Sequence, residues 1–236
     1  MTAEQAFAST GGISKNAACT SFSAAAASLA LIMLLHVLEP QYDPSWRFIS
    51  EYANGTFGWI MFLAFEAMAI SSAALVFALK GEARTIPAKI GLILVSLSAL
   101  GSAVAGIFPM DPIAPLPQQP TLNGSIHGFG AMLGIPTLPI GAMLLTYGVT
   151  SGTNWQSSRG RLRLFANLTW ISLVAMFALM SVWMSASGGQ FGPDVPVGWL
   201  NRLVVIAYLT WTMLTAAAAA GIAQGLGSAP AESARS

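Results

Sequence analysis

Charge is scarce in this chain: only 8% of its 236 residues are Asp, Glu, Lys or Arg, against about 25% in an average soluble domain. Ten Lys and Arg stand against nine Asp and Glu, a formal net charge of +1. That balance excludes a basic nucleic-acid binder and an acidic disordered chain, and the scarcity excludes an ordinary soluble enzyme. Cysteine is nearly missing. The single Cys19 rules out an intrachain disulfide framework and any multi-cysteine zinc or iron–sulfur site, and it is expected to be a small residue tolerated at a membrane edge. A basic n-region is lacking as well. The first 19 residues hold one Glu and one Lys, so no cleavable signal peptide is expected and the first apolar run stays in the membrane.

What is present is apolar, 55% of all residues. A helix needs about 20 largely apolar residues to cross the hydrocarbon core. Six segments meet that length: about 20–38, 57–79, 87–108, 126–149, 164–187 and 199–225. The expectation is an all-α, polytopic bundle of six transmembrane helices at 20–225, between an N-terminal segment at 1–19 and a flexible tail at 226–236. Lys80, Arg84 and Lys89 lie between spans two and three, and Arg159, Arg161 and Arg163 between four and five. By the positive-inside rule those loops and both termini are cytoplasmic, in a cell inner (plasma) membrane. Trp46, Trp59, Trp183 and Trp199 fall near the outer boundary and Trp155 near the inner one, as an aromatic belt would. Gly130 and Gly134, and Gly221 and Gly225, stand at GxxxG spacing, expected to pack helices within the chain or to serve self-association or other membrane subunits. Pro136 and Pro139 should kink span four or break its hydrogen-bond ladder.

The placement of the few charges is the most informative pattern. Glu39, Asp43, Arg47, Glu51, Asp111, Asp194 and Arg202 collect on the outer face, with His36 and His127 beside them. Asp111 follows Pro109 at the end of span three, where the helix dipole opposes a carboxylate. A donor or cation must compensate it, and Arg47, Arg202, His127 or a metal are the candidates. The stretch RFISEYANGTFGW, with its Asn54-Gly55 turn signal, is expected to form a short interfacial helix or re-entrant cap. Glu66 is the exception, about 13 Å into span two at 1.5 Å per residue. A carboxylate that deep costs a few kcal/mol, so it should face the bundle interior, protonated or paired. His36 and His127 lie at similar depth, which leaves axial haem ligation open, or a metal held with Asp111 or Glu51. Ser125-x-His127 lacks a nucleophile elbow, and no catalytic residue is assigned.

ISEYANGTFGWIM, GIFPMDP, His127-Gly128 and Gly198-Trp199-Leu200-Asn201-Arg202-Leu203, in this order, resemble the bacterial and archaeal membrane family catalogued as domain of unknown function 998. The similarity runs from about residue 22 to 225. It implies a six-helix integral membrane protein, carries no activity, and groups Ser50, Glu51, Asp111, His127 and Arg202.

The candidate ligand-binding cluster is therefore Arg47, Ser50, Glu51, Asp111, His127 and Arg202, with Glu66 as a separate buried carboxyl. Three roles follow: an accessory or structural subunit of a larger membrane complex, a binding protein or enzyme for a lipid or other amphiphile at the outer leaflet, and a small proton-coupled transporter using Glu66. Membrane lipids are the expected surroundings in each.

Overall fold

The computed structural model describes residues 12–115, 117 and 119–227. Of the expected terminal segments, residues 1–11 and 228–236 lie outside the described residues. Six long helices account for most of the rest: α1 Lys15–Leu38, α2 Gly58–Leu79, α3 Ile86–Ile107, α4 Leu122–Val149, α5 Arg159–Ala186 and α6 Val197–Gly227. Short 3-10 helices occur at Ile49–Asn54 and Thr153–Trp155. All six long helices are long and apolar enough to cross a membrane, and no strand occurs among the described residues. The molecule is a multi-pass helical bundle.

Several helices begin before the apolar runs do, because capping sets a start and hydropathy does not. The Ser14 side chain accepts from Ala17 N–H at 3.4 Å, starting α1 five residues ahead of the apolar run and putting Cys19 inside it. Thr121 does the same for α4 through Gly124 N–H at 3.0 Å. Such side-chain acceptors satisfy donors that a first turn leaves open.

Neighbours in sequence are neighbours in space, and α6 closes back against α1 to complete the ring. Successive helices run antiparallel. The end that holds the α1–α2, α3–α4 and α5–α6 connections is here termed distal, and the end that holds the described chain ends is termed terminal.

The α3–α4 seam is the tightest. A Cβ at Gly101 would stand 2.5 Å from Gly134 N and 2.6 Å from Gly130 O, so neither helix tolerates a side chain there. Gly91 and Gly148 repeat this against Leu145 and Ala88. Gly130 and Gly134 are thus spent inside the chain, whereas a Cβ at Gly221 would meet nothing within 4 Å.

Pro136 and Pro139 leave α4 a continuous helix. The ladder is nevertheless interrupted, since Pro139 has no N–H to give to Ile135 O, four residues back. The buried Tyr208 hydroxyl of α6 donates to that carbonyl instead.

Trp59 and Trp199 are 62% and 56% exposed at the distal end, as belt residues would be. Trp155 differs from expectation. It is fully buried, and its indole N–H donates to Glu82 at 3.2 Å.

Candidate functional site

The loop between α1 and α2 folds over the distal end as a cap, and nearly every residue of ISEYANGTFGW has an assignable part in it. Glu39, 1% exposed, turns its carboxylate onto the start of α2. There it accepts from Phe57 N–H and from the Gln41 amide. A helix N-terminus favours an anion in that place. Gly55 makes the room, since a Cβ there would stand 2.5 Å from the Glu39 carboxyl.

Glu51 is wholly buried. Its Oε1 accepts from Arg47 Nη1 at 2.8 Å and from Ile113 N–H at 3.1 Å, while Oε2 accepts from Phe48 N–H at 3.3 Å. One carboxylate therefore joins the first connection to the third. The Asn54 amide donates to Met110 O at 3.0 Å and the Ser50 hydroxyl to Met110 Sδ at 2.8 Å, reinforcing that junction.

Arg202, on the second turn of α6, is 5% exposed. Its Nε donates to His36 Nε2 at 2.7 Å, its Nη1 to Arg47 O at 2.7 Å and to Gly198 O at 3.1 Å, and its Nη2 to Tyr52 Oη at 3.3 Å. His36 Nδ1 lies 2.8 Å from Ile32 O. A carbonyl only accepts, so Nδ1 carries the hydrogen and Nε2 is the acceptor. Gly198 allows this arrangement: a Cβ there would stand 2.5 Å from Pro44 O. Asn201 Oδ1 accepts from Ile49 N–H at 3.0 Å, so Gly198, Asn201 and Arg202 of the Gly-Trp-Leu-Asn-Arg run all hold the cap.

Two cap residues titrate away from their ordinary ranges. The Ser45 hydroxyl and backbone N–H hold Asp43 below the usual carboxylate range. Burial pushes the Tyr42 phenol up, with Glu39 and Glu51 adding to it.

Arg47, Glu51 and Arg202 thus come together, and Ser50 sits on the same cap. Asp111 goes elsewhere. Its two oxygens accept from the Thr121 hydroxyl at 2.7 Å and Thr121 N–H at 2.9 Å. The Asp111 carboxylate is thus met by the start of α4, and by neither Arg47, Arg202 nor His127. His127 Nδ1 lies 2.9 Å from both Ala105 O and Phe108 O, closing the end of α3. His36 is held by Ile32 O and Arg202 and His127 by carbonyls, and no group of three or more His, Cys, Asp or Glu suited to a metal occurs among the described residues.

Beneath the cap lies an internal cleft of about 90 Å³. It runs between all six helices, from Ile49 and Ser50 at the distal roof down to Met68, Ser98, Met176 and Tyr208. Along α6 the lining extends from Asn201 to Tyr208, about 10 Å at 1.5 Å per residue. Its walls are mainly Met, Ile, Val, Ala and Gly, and its polar groups are Ser50, Ser98, Ser102, His127, Asn201 and Tyr208. Of the expected cluster, Ser50 and His127 reach it; Arg47, Glu51, Asp111 and Arg202 do not line it.

Four of these lining residues carried no flag in the sequence. Ser98 and Ser102 are small hydroxyls in an apolar helix, although their four-residue spacing puts them on one face. Tyr208 would have been signalled by asking what satisfies the carbonyl that Pro139 abandons. Asn201 lies within a quoted motif but is uncharged.

Glu66 stands at the α2–α3 seam, where a Cβ on Gly106 would come 2.9 Å from its Oε1. Among the described residues that buried oxygen has no hydrogen-bond partner, and Glu66 does not line the cleft.

No curated protein and no solved structure matches the chain. The model of a family described as "Protein of unknown function (DUF998)" matches residues 22–218, spanning the cap and all six helices, and the chain belongs to that family.

Proposed function

We propose that this multi-pass membrane protein binds an amphiphile, with the ligand's polar end in the cleft under the distal cap. The observation that supports this reading is the cleft itself, an apolar-walled space at the centre of the ring with polar groups along it. Such a lining, mostly apolar with a few convergent polar groups, is the usual form of a small-molecule site. Its volume, about 90 Å³, is below the roughly 300 Å³ of sites that enclose a drug-sized ligand. It suits a headgroup or a short length of chain, the remainder lying among lipids. Native mass spectrometry of the gently solubilised protein tests this. Retained lipid mass on wild type, lost in Ser102→Leu while thermal unfolding stays cooperative, is the expected result. A bare wild-type chain would sink the proposal.

In this reading the terminal end faces the cytoplasm and the cap faces outward across the inner (plasma) membrane. Lys80, Arg84, Lys89, Arg159, Arg161 and Arg163 lie by the terminal end, which supports that orientation. An impermeant thiol reagent should label Asn123→Cys in whole cells and leave Ser151→Cys unlabelled, each in a Cys19→Ala background.

A second reading is an accessory subunit of a larger membrane complex. It is favoured by the surface at Gly221, where a Cβ would meet nothing within 4 Å among the described residues. Co-purification of a partner at fixed stoichiometry, lost in Gly221→Leu, is its test. Proton-coupled transport through Glu66 is the third; full flux in vesicles carrying Glu66→Gln would end it.

A further inference from the structure

The cap and the cleft divide polar chemistry between them. All charged side chains of the cap stay out of the cleft lining, and the six polar residues that line it include no Asp, Glu, Lys or Arg: Ser50, Ser98, Ser102, His127, Asn201 and Tyr208. Part of their hydrogen-bonding capacity is already used. The Ser50 and Tyr208 hydroxyls donate to Met110 Sδ and Ile135 O. Asn201 Oδ1 accepts from Ile49 N–H, which leaves the Asn201 amide hydrogens as donors. His127 Nδ1 faces two carbonyls, each at 2.9 Å. Nδ1 therefore carries the hydrogen, and in the neutral ring Nε2 presents a lone pair.

An anionic headgroup has no Lys or Arg to meet among these groups, and its oxygens would oppose the lone pair of a neutral His127. A cationic headgroup has no carboxylate to meet. Charge moved into such surroundings without a partner is strongly disfavoured. A hydroxyl offers both a donor for an Nε2 lone pair and an acceptor for an Asn201 amide hydrogen in a single group.

Building on the amphiphile reading above, we propose that the ligand is a neutral, hydroxyl-bearing lipid of long-chain alcohol type, selected over fatty acids and phospholipids by His127 Nε2 and the Asn201 amide.

The test uses the full-length protein in nanodiscs and two photoreactive probes of equal chain length, a diazirine-bearing long-chain alcohol and the corresponding carboxylate. Labelled residues are mapped by peptide mass spectrometry. The expected result is at least tenfold more labelling of cleft residues by the alcohol. His127→Asn is the informative variant. The Asn amide can stand where Nδ1–H stood and keep the bonds to Ala105 and Phe108, while the Nε2 acceptor is removed. Alcohol labelling should fall about tenfold, the equivalent of one hydrogen bond, with the thermal midpoint close to wild type.

Equal or stronger labelling by the carboxylate would overturn the neutral-headgroup proposal while leaving amphiphile binding standing. Undiminished alcohol labelling in folded His127→Asn would overturn the role given to Nε2. No labelling of the cleft by either probe would overturn both proposals. Wild-type selectivity tests the proposal even where the variant fails to fold.

Discussion

The distal cap and the cleft beneath it share one end of the bundle and treat polar groups in opposite ways. In the cap, every charge that is buried has been matched. Glu51 accepts three hydrogen bonds, Arg202 donates four, and Glu39 closes the start of α2. In the cleft the lining holds no Asp, Glu, Lys or Arg, and its polar side chains are hydroxyls, an amide and an imidazole. The difference follows from energy scales. An unmatched charge costs several kcal/mol in low dielectric, so it is tied down by protein. A hydroxyl or amide costs far less, and can wait for a ligand. The residues most conspicuous in a low-charge sequence are here the ones that hold the loops together.

Breaking the cap should therefore cost stability, and altering the cleft should not. The largest effect is expected from Arg202→Met, which strands His36 Nε2 and removes the donor to the Arg47 carbonyl; a loss of about 3–5 kcal/mol by unfolding in mixed micelles is anticipated, from several charge-assisted hydrogen bonds lost together. A loss near zero would mean that the cap is not a latch.

Arg47→Met comes next. It leaves the buried Glu51 carboxylate with only the two backbone N–H donors and should cost about 2–3 kcal/mol. In the double variant with Glu51→Met the coupling should recover a good part of that, because a paired charge replaced on both sides by apolar groups is often nearly neutral.

Tyr208 sits on the border between the two regimes, since it lines the cleft but also serves a backbone carbonyl. Tyr208→Phe should cost about 1–3 kcal/mol, the penalty for an unsatisfied buried acceptor. In a Pro139→Ala background, where residue 139 regains its N–H, the same change should cost much less. Equal costs in both backgrounds would break the link between Pro139 and Tyr208.

Ser98→Ala, inside the cleft, is expected to change stability by no more than about 0.5 kcal/mol, while altering ligand retention. A large loss would show that the cleft serine has a structural task after all.

The smallest effect belongs to exposed Asp43, whose folded pKa is depressed by Ser45. A depressed carboxyl contributes stability above its unfolded pKa and loses it as pH falls through the folded one. Asp43→Asn should then be slightly less stable than wild type at neutral pH and converge with it in acid. A difference that persists at low pH would assign the effect to something other than charge.

Six spans, their order and the separation of a mainly acidic end from a mainly basic one were legible in the primary structure, because hydropathy and charge are additive along a chain and a lipid bilayer filters for length. The cap was legible as a motif but not as a mechanism. Gly55 and Gly198 reveal their use only when the Glu39 carboxyl and Pro44 O are found beside them. Asp111 announced a need for compensation, yet its partner Thr121 lies ten residues on, across a proline-rich loop whose path no local rule predicts. Trp155 fitted a belt by position and is instead buried against Glu82.

Sequence alone thus determined that the chain is a membrane-spanning helical bundle, where its helices lie and which residues are too polar for lipid. Tertiary structure alone decided which of those polar residues satisfy one another and which remain facing a cavity. The physical reason is that hydropathy is a property of a segment, whereas hydrogen-bond satisfaction is a property of a pair. The pairs that matter here, Arg202 with His36 and Tyr208 with Ile135, are separated by 166 and 73 positions and meet only when the ring of helices closes.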